Sequence, residues 1–238
     1  MNLIKSEWKQ SDTAEYKKYI ESLSKGKEKG VWEQRIVNTS LPCLAVPSTE
    51  VDKIAREIFK GNYISYLDLW LWDNHTLTLI FGKTLSKIKD FDTLEKYLIT
   101  YSERADNWST IDCLRFKFDK DNIPRFINLS KKLIKSSHTF SRRLALIILL
   151  KLTSVIDCTD VIFGMLNDLK NENEYCVNMA GAWLLAECMT KFREQTIPYY
   201  QTNSTNDFII NKSISKCRDS YRISKEDKYY LLRFKRKN

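Results

Sequence analysis

Glycine and proline are scarce in this chain, 6 and 4 among 238 residues, and that shortage argues against a turn-rich β-sandwich or a disordered chain. Strand signals are equally sparse. The best alternating stretch, residues 75–81, has no hairpin partner and is read as helix. The six cysteines, Cys43, Cys113, Cys158, Cys176, Cys188 and Cys217, lie far apart, without the close pairs that zinc sites or redox motifs need. They are expected to be reduced core residues, and neither a metal nor a cofactor is expected. The first residues lack the apolar stretch of a secretory signal, and the longest apolar run, residues 144–150, is too short to span a bilayer. A cytoplasmic protein with no membrane partner is expected.

What the chain has is helical periodicity. Val51, Ile54, Ala55, Ile58 and Phe59 recur at the spacing of one helix face, with Lys53, Arg56, Glu57 and Lys60 opposite. Pro47, Ser48 and Thr49 mark the start, with a hydroxyl to cap it, and Gly61 marks the stop. Phe91, Leu94, Leu98 and Tyr101 make a second stripe, and Ile210, Ile214, Cys217 and Tyr221 a third. Ser224 followed by Asp227 reads as a capping box. About a dozen helices joined by short polar connectors give an all-α chain of stacked antiparallel helix pairs, one continuous domain over residues 1–238. Exact repeats are not visible, so a compact helical bundle stays open beside a solenoid.

Lys and Arg outnumber Asp and Glu by 39 to 30, a formal charge of +9. Such a balance favours an anionic partner, nucleic acid or an acidic membrane surface, without choosing between them. Three segments carry candidate chemistry. Asn107 and Asp106 are possible caps for a helix on which Trp108 and Asp112, four residues apart, share a face. Arg142 and Arg143 open a strongly apolar helix, where a guanidinium can fork a phosphate or pair with a neighbouring helix. Trp183 lies among the small residues Ala180, Gly181 and Ala182; the pattern alone favours a core plug over a groove wall.

Four segments in order resemble the AlkD-like alkylpurine DNA glycosylases of bacteria: Leu44-Ala45-Val46-Pro47 leading into a helix, Asn107-Trp108-Ser109-Thr110-Ile111-Asp112, Arg142-Arg143-Leu144-Ala145-Leu146, and Met179-Ala180-Gly181-Ala182-Trp183-Leu184-Leu185. Their shared order carries the resemblance, over nearly the whole chain. It implies a HEAT-like-repeat solenoid whose concave basic face holds duplex DNA and which removes cationic alkylated purines, of the 3-methyladenine and 7-methylguanine type, without a metal. The lesion is expected to stay in the duplex rather than enter a fitted pocket. Carried over by position, Trp108 and Trp183 would flank the sugar, Asp112 would stabilise the charge developing there, and Arg143, assisted by Arg142, would hold a phosphate. Lys212 and Lys216, four apart on a late helix, are further phosphate candidates by spacing alone.

The chain departs from the family pattern at Ala186, where better-known members carry a cation, and in the N-terminal stretch containing Trp32-Glu33-Gln34-Arg35. Three classes therefore stand: a monofunctional DNA glycosylase, expected as a monomer, a DNA-binding relative that excises weakly or not at all, and a helical-repeat scaffold for protein partners.

Overall fold

Every stripe read from spacing falls on a helix, apart from Tyr221 at the end of the third, in the structure, a computed structural model that describes residues 1–237. Among the described residues there are fourteen α-helices, two short 3-10 turns and no strand, and the fold is all-α. Two compact units divide the chain, Met1–Lys117 and a second beginning at Phe118.

The first unit contains α1 (Thr13–Ser22), α2 (Lys27–Val37), α3 (Ser48–Lys60), α4 (Tyr63–Asp68), α5 (His75–Leu85), α6 (Phe91–Arg104) and α7 (Trp108–Asp112). Helix α3 packs on α4 and α5, and α5 packs in turn on α6 and α7. The apolar face of α3 is buried as its spacing predicts, with Val51, Ile54, Ala55 and Ile58 all enclosed. Its start differs in detail: Ser48 is already helical, Pro47 takes the capping position, and no side chain caps it. Trp8, Tyr16 and Tyr66 close the N-terminal end as three buried rings packed edge to face, 5.2–5.7 Å between centroids. Each such contact is worth about 1 kcal/mol beyond the area it buries.

The second unit contains α8 (Ile123–Leu133), α9 (Thr139–Leu152), α10 (Thr159–Asp168), α11 (Tyr175–Lys191), α12 (Arg193–Thr202), α13 (Asp207–Asp219) and α14 (Lys225–Leu231). Helices α9, α11 and α13 pack in series, with α8 against α9 and with α10 and α12 against each other. These stacked helix pairs are the packing of a helical-repeat protein. The middle of α9 explains why: residues 143–149 are all buried, so the helix is covered there on nearly every side. Truncating a residue such as Leu146 there costs roughly 2–5 kcal/mol.

Small residues set how closely α11 and α13 approach. A Cβ at Gly181 would stand 3.0 Å from the Ile209 side chain, so the two helices meet where α11 has no side chain. On α13, Ile210, Ile214 and Cys217 are buried as predicted, but Tyr221 is fully exposed. The helix ends at Asp219 and Ser220 is extended, so Tyr221 leaves the helical phase. The six cysteines are all free thiols; Cys158, Cys188 and Cys217 are buried and the other three half-buried.

Candidate functional site

In the first unit the candidate chemistry sits on α7, a helix of only five residues whose position depends on what lies beneath it. Asn107, extended and buried, caps it: Oδ1 accepts from the Thr110 amide at 3.0 Å. The Thr110 hydroxyl lies 3.2 Å from that of Thr78 on α5, and the buried Tyr101 hydroxyl lies within 3.0 Å of the Thr78 and Thr110 carbonyls. A Cβ at Gly82 would collide with the same tyrosine hydroxyl, so α5 passes α6 closely only because that position is glycine.

The network continues into Asp106. Its carboxylate accepts from the Thr39 hydroxyl at 2.7 Å, from the Ser40 amide and hydroxyl at 2.8 Å, and from Asn107 Nδ2 at 2.8 Å. Burial alone would raise the Asp106 carboxyl, but these donors outweigh it and hold its pKa below the ordinary value. His75, fully buried beside Asn107, is lowered as well, but here burial is the cause: it takes the ring to about 4, against the opposing pull of Asp106. The Asp106 and Asn107 candidates thus separate. Asn107 is the cap, and Asp106 ties the segment before α7 to the loop after α2.

On this base Trp108 stays 36 % exposed while Asn107, Thr110 and Ile111 around it are buried. Asp112, one helical turn on and partly exposed, shares its face.

In the second unit, α11 is exposed at its two ends, Tyr175 and Lys191, and between them is enclosed except along one narrow stripe of Cys176, Met179, Trp183, Glu187 and Thr190. Trp183 is 39 % exposed between buried Ala182 and Leu184. It is therefore a surface wall, where the apolar pattern alone suggests a plug. An open cleft of about 320 Å³ is lined by Trp183, Lys216, Glu187 and Arg222, which brings two sequence candidates, Trp183 and Lys216, to one place. Lys216 has a lowered pKa, from burial first and then from the charges of Lys212 and Arg143. Arg222 forks the Glu187 carboxylate at 2.7 and 3.0 Å, and this bond, reinforced by Lys191, depresses the carboxyl.

The two arginines of α9 have different surroundings. Arg143 is 5 % exposed and donates to the Cys176 carbonyl, with its charge close enough to act on Lys216. Arg142 is drawn into the protein: it pairs with Glu172 at 2.7 Å and donates to the Ser136 and Ser137 carbonyls at 3.0 Å. That is the intramolecular alternative, a clamp from α9 to the connector before α11.

Spacing did not single out a further basic cluster in the first unit. Lys87 has a lowered pKa because it is partly buried and because Arg56, Lys83 and Lys117 repel its charge, with Asp52 opposing. The available signal was the separation of Lys83 and Lys87 by four residues. Among the described residues no helix is long and apolar enough to cross a membrane, and no three His, Cys, Asp or Glu side chains are grouped to hold a metal ion.

No curated protein shows a significant match to the chain. The family model described as DNA alkylation repair enzyme matches residues 5–216, a span that includes every candidate above except Arg222. The match runs through both units, from before α1 into α13. With the all-α helical-repeat packing, it shows that the chain belongs to the DNA alkylation repair enzyme family.

Proposed function

We propose that the protein is a metal-independent DNA glycosylase that excises cationic alkylated purines from duplex DNA. The observation that carries this reading is the exposure of both indoles, Trp108 beside buried Asn107, Thr110 and Ile111, and Trp183 between buried Ala182 and Leu184. Indoles fixed in that manner offer electron-rich faces to a cation.

The chemistry assigned to them is simple in its balance. The bond between C1′ and the purine nitrogen breaks with its electron pair going to the base, which leaves neutral because alkylation had made it cationic. Positive charge grows on the sugar, and the Asp112 carboxylate stabilises it and orients a water. The water oxygen bonds to C1′ and its proton passes to solvent. No general acid is required. Arg143, Lys212 and Lys216 are assigned to the phosphates, a sequence-independent grip whose strength falls with salt.

A weak or silent relative is favoured by one observation: Ala186, which offers a phosphate no cation, adjoins Glu187 at the Trp183 cleft, so the grip on DNA there is reduced. Release of methylated purines from alkylated duplex DNA, run beside a binding titration at two salt concentrations, separates the readings. Release lost in Asp112→Asn supports the glycosylase. Salt-sensitive binding without release supports the binding-only relative, and neither activity supports a protein scaffold.

A further inference from the structure

Residues 234–236 lie beyond the family match, which ends at residue 216, yet they are firmly seated. Arg236 is the anchor. Its guanidinium donates to the Thr205 carbonyl, Asp207 Oδ1 and Asn203 Oδ1, each at 2.7 Å. Its backbone exchanges two hydrogen bonds with the Asn211 side chain, N to Oδ1 at 2.9 Å and Nδ2 to O at 3.0 Å. Phe234, just before it, stacks on Tyr200 and meets Tyr230 edge to face. The segment is a strap bound back onto the start of α13.

Lys235 is extended, and side chains two apart on extended backbone point to the same side. With Arg236 turned to the protein, Lys235 and Lys237 are both exposed. They line an open cleft of about 750 Å³ whose other wall is α13, with Lys212, Ser215 and Phe208. Among the described residues none of the three lysines forms an ion pair, and no Asp or Glu lines the cleft. Lys212 also links this cleft to the next one, because its charge acts on Lys216 beside Trp183.

We infer that the strap and α13 form a phosphate-binding groove for duplex DNA, in which Lys235 and Lys237 extend the contact of Lys212 away from the Trp183 cleft. A groove that is open and lined by three unpaired cations suits a continuous polyanion, where a small anion would be expected in an enclosed site. The inference rests on the reading of duplex DNA as the partner.

Fluorescence anisotropy with a short undamaged duplex over a salt series tests it. The double variant Lys235→Gln/Lys237→Gln is expected to bind about 3- to 10-fold more weakly at low salt and to lower the slope of log K against log salt by about 1–2, the loss of one or two phosphate contacts. The control Lys131→Gln/Lys135→Gln, at exposed positions on and just after α8, is expected to keep the wild-type slope. An unchanged slope in the strap variant, with salt-sensitive binding by wild type, overturns the groove and leaves the DNA reading intact. Equal losses in both variants also overturn it, as a general charge effect. If the wild-type protein shows no salt-sensitive binding, the DNA reading falls and the groove with it.

Discussion

Asn107 holds Thr110 twice: its Oδ1 accepts the Thr110 amide and its Nδ2 donates to the Thr110 hydroxyl, both at 3.0 Å. Between these two residues stands Trp108, and one turn on stands Asp112, so the pairing sets the pose of the candidate site. Replacing Asn107 by Ala removes the cap and leaves a buried amide unpaired. Unfolding in urea is expected to show a loss of roughly 1–2 kcal/mol. Excision is expected to fall further than DNA affinity does; equal losses in both would mean that the cap stabilises the fold without positioning α7.

His75 gives the first unit a pH dependence. Its pKa is about 4 when folded and 6.5 in the open chain, because burial disfavours the charged ring. As pH falls from about 6.5 to about 4 the unfolded chain takes up a proton that the folded protein refuses, so stability declines across that window and levels below it. The full decline is on the order of 3 kcal/mol. Denaturation at a series of pH values checks this, and His75→Leu should flatten the curve in that window whatever its effect on absolute stability.

The helices were largely legible in the sequence because α3, α6 and α13 bury one face each, and a buried face leaves a period. The signal weakened where burial is nearly complete. Trp183 sits in an apolar helix, and only the recurrence of half-exposed Met179, Glu187 and Thr190 marks its stripe as open. Contacts between distant residues were also out of reach. Nothing local in Asp106 announces Thr39, 67 positions away, and nothing in Arg142 announces Glu172, 30 away. Asn107 was identifiable as a cap because capping is a matter of neighbouring residues; choosing it over Asp106 required the fold.

The two indoles should matter through their faces. Trp108→Ala and Trp183→Ala are each expected to lower single-turnover excision about 5- to 30-fold, the worth of a cation held over an aromatic ring, with Phe at either position recovering part of the loss. Thermal melting should move little, since both side chains are more than a third exposed. Full activity in either Ala variant would mean that the indole takes no part in excision.

Arg142 and the α13 lysines should separate stability from DNA grip. Arg142→Ala breaks a half-buried pair with Glu172 and is expected to cost roughly 1–3 kcal/mol of stability while leaving the salt dependence of DNA binding unchanged. Lys212→Ala/Lys216→Ala is expected to do the reverse, lowering the salt slope by about 1–2. A changed slope in Arg142→Ala would place its guanidinium on the phosphates after all.

Asp112 is the negative charge assigned to the reacting sugar. In Asp112→Asn the side chain keeps its shape and loses its charge, so binding to alkylated duplex DNA should persist while single-turnover release of methylated purines falls roughly 100- to 1000-fold, the loss of one preorganised charge at the reacting centre. Release at the wild-type rate by the Asp112→Asn protein would mean that this carboxylate does not act on the sugar.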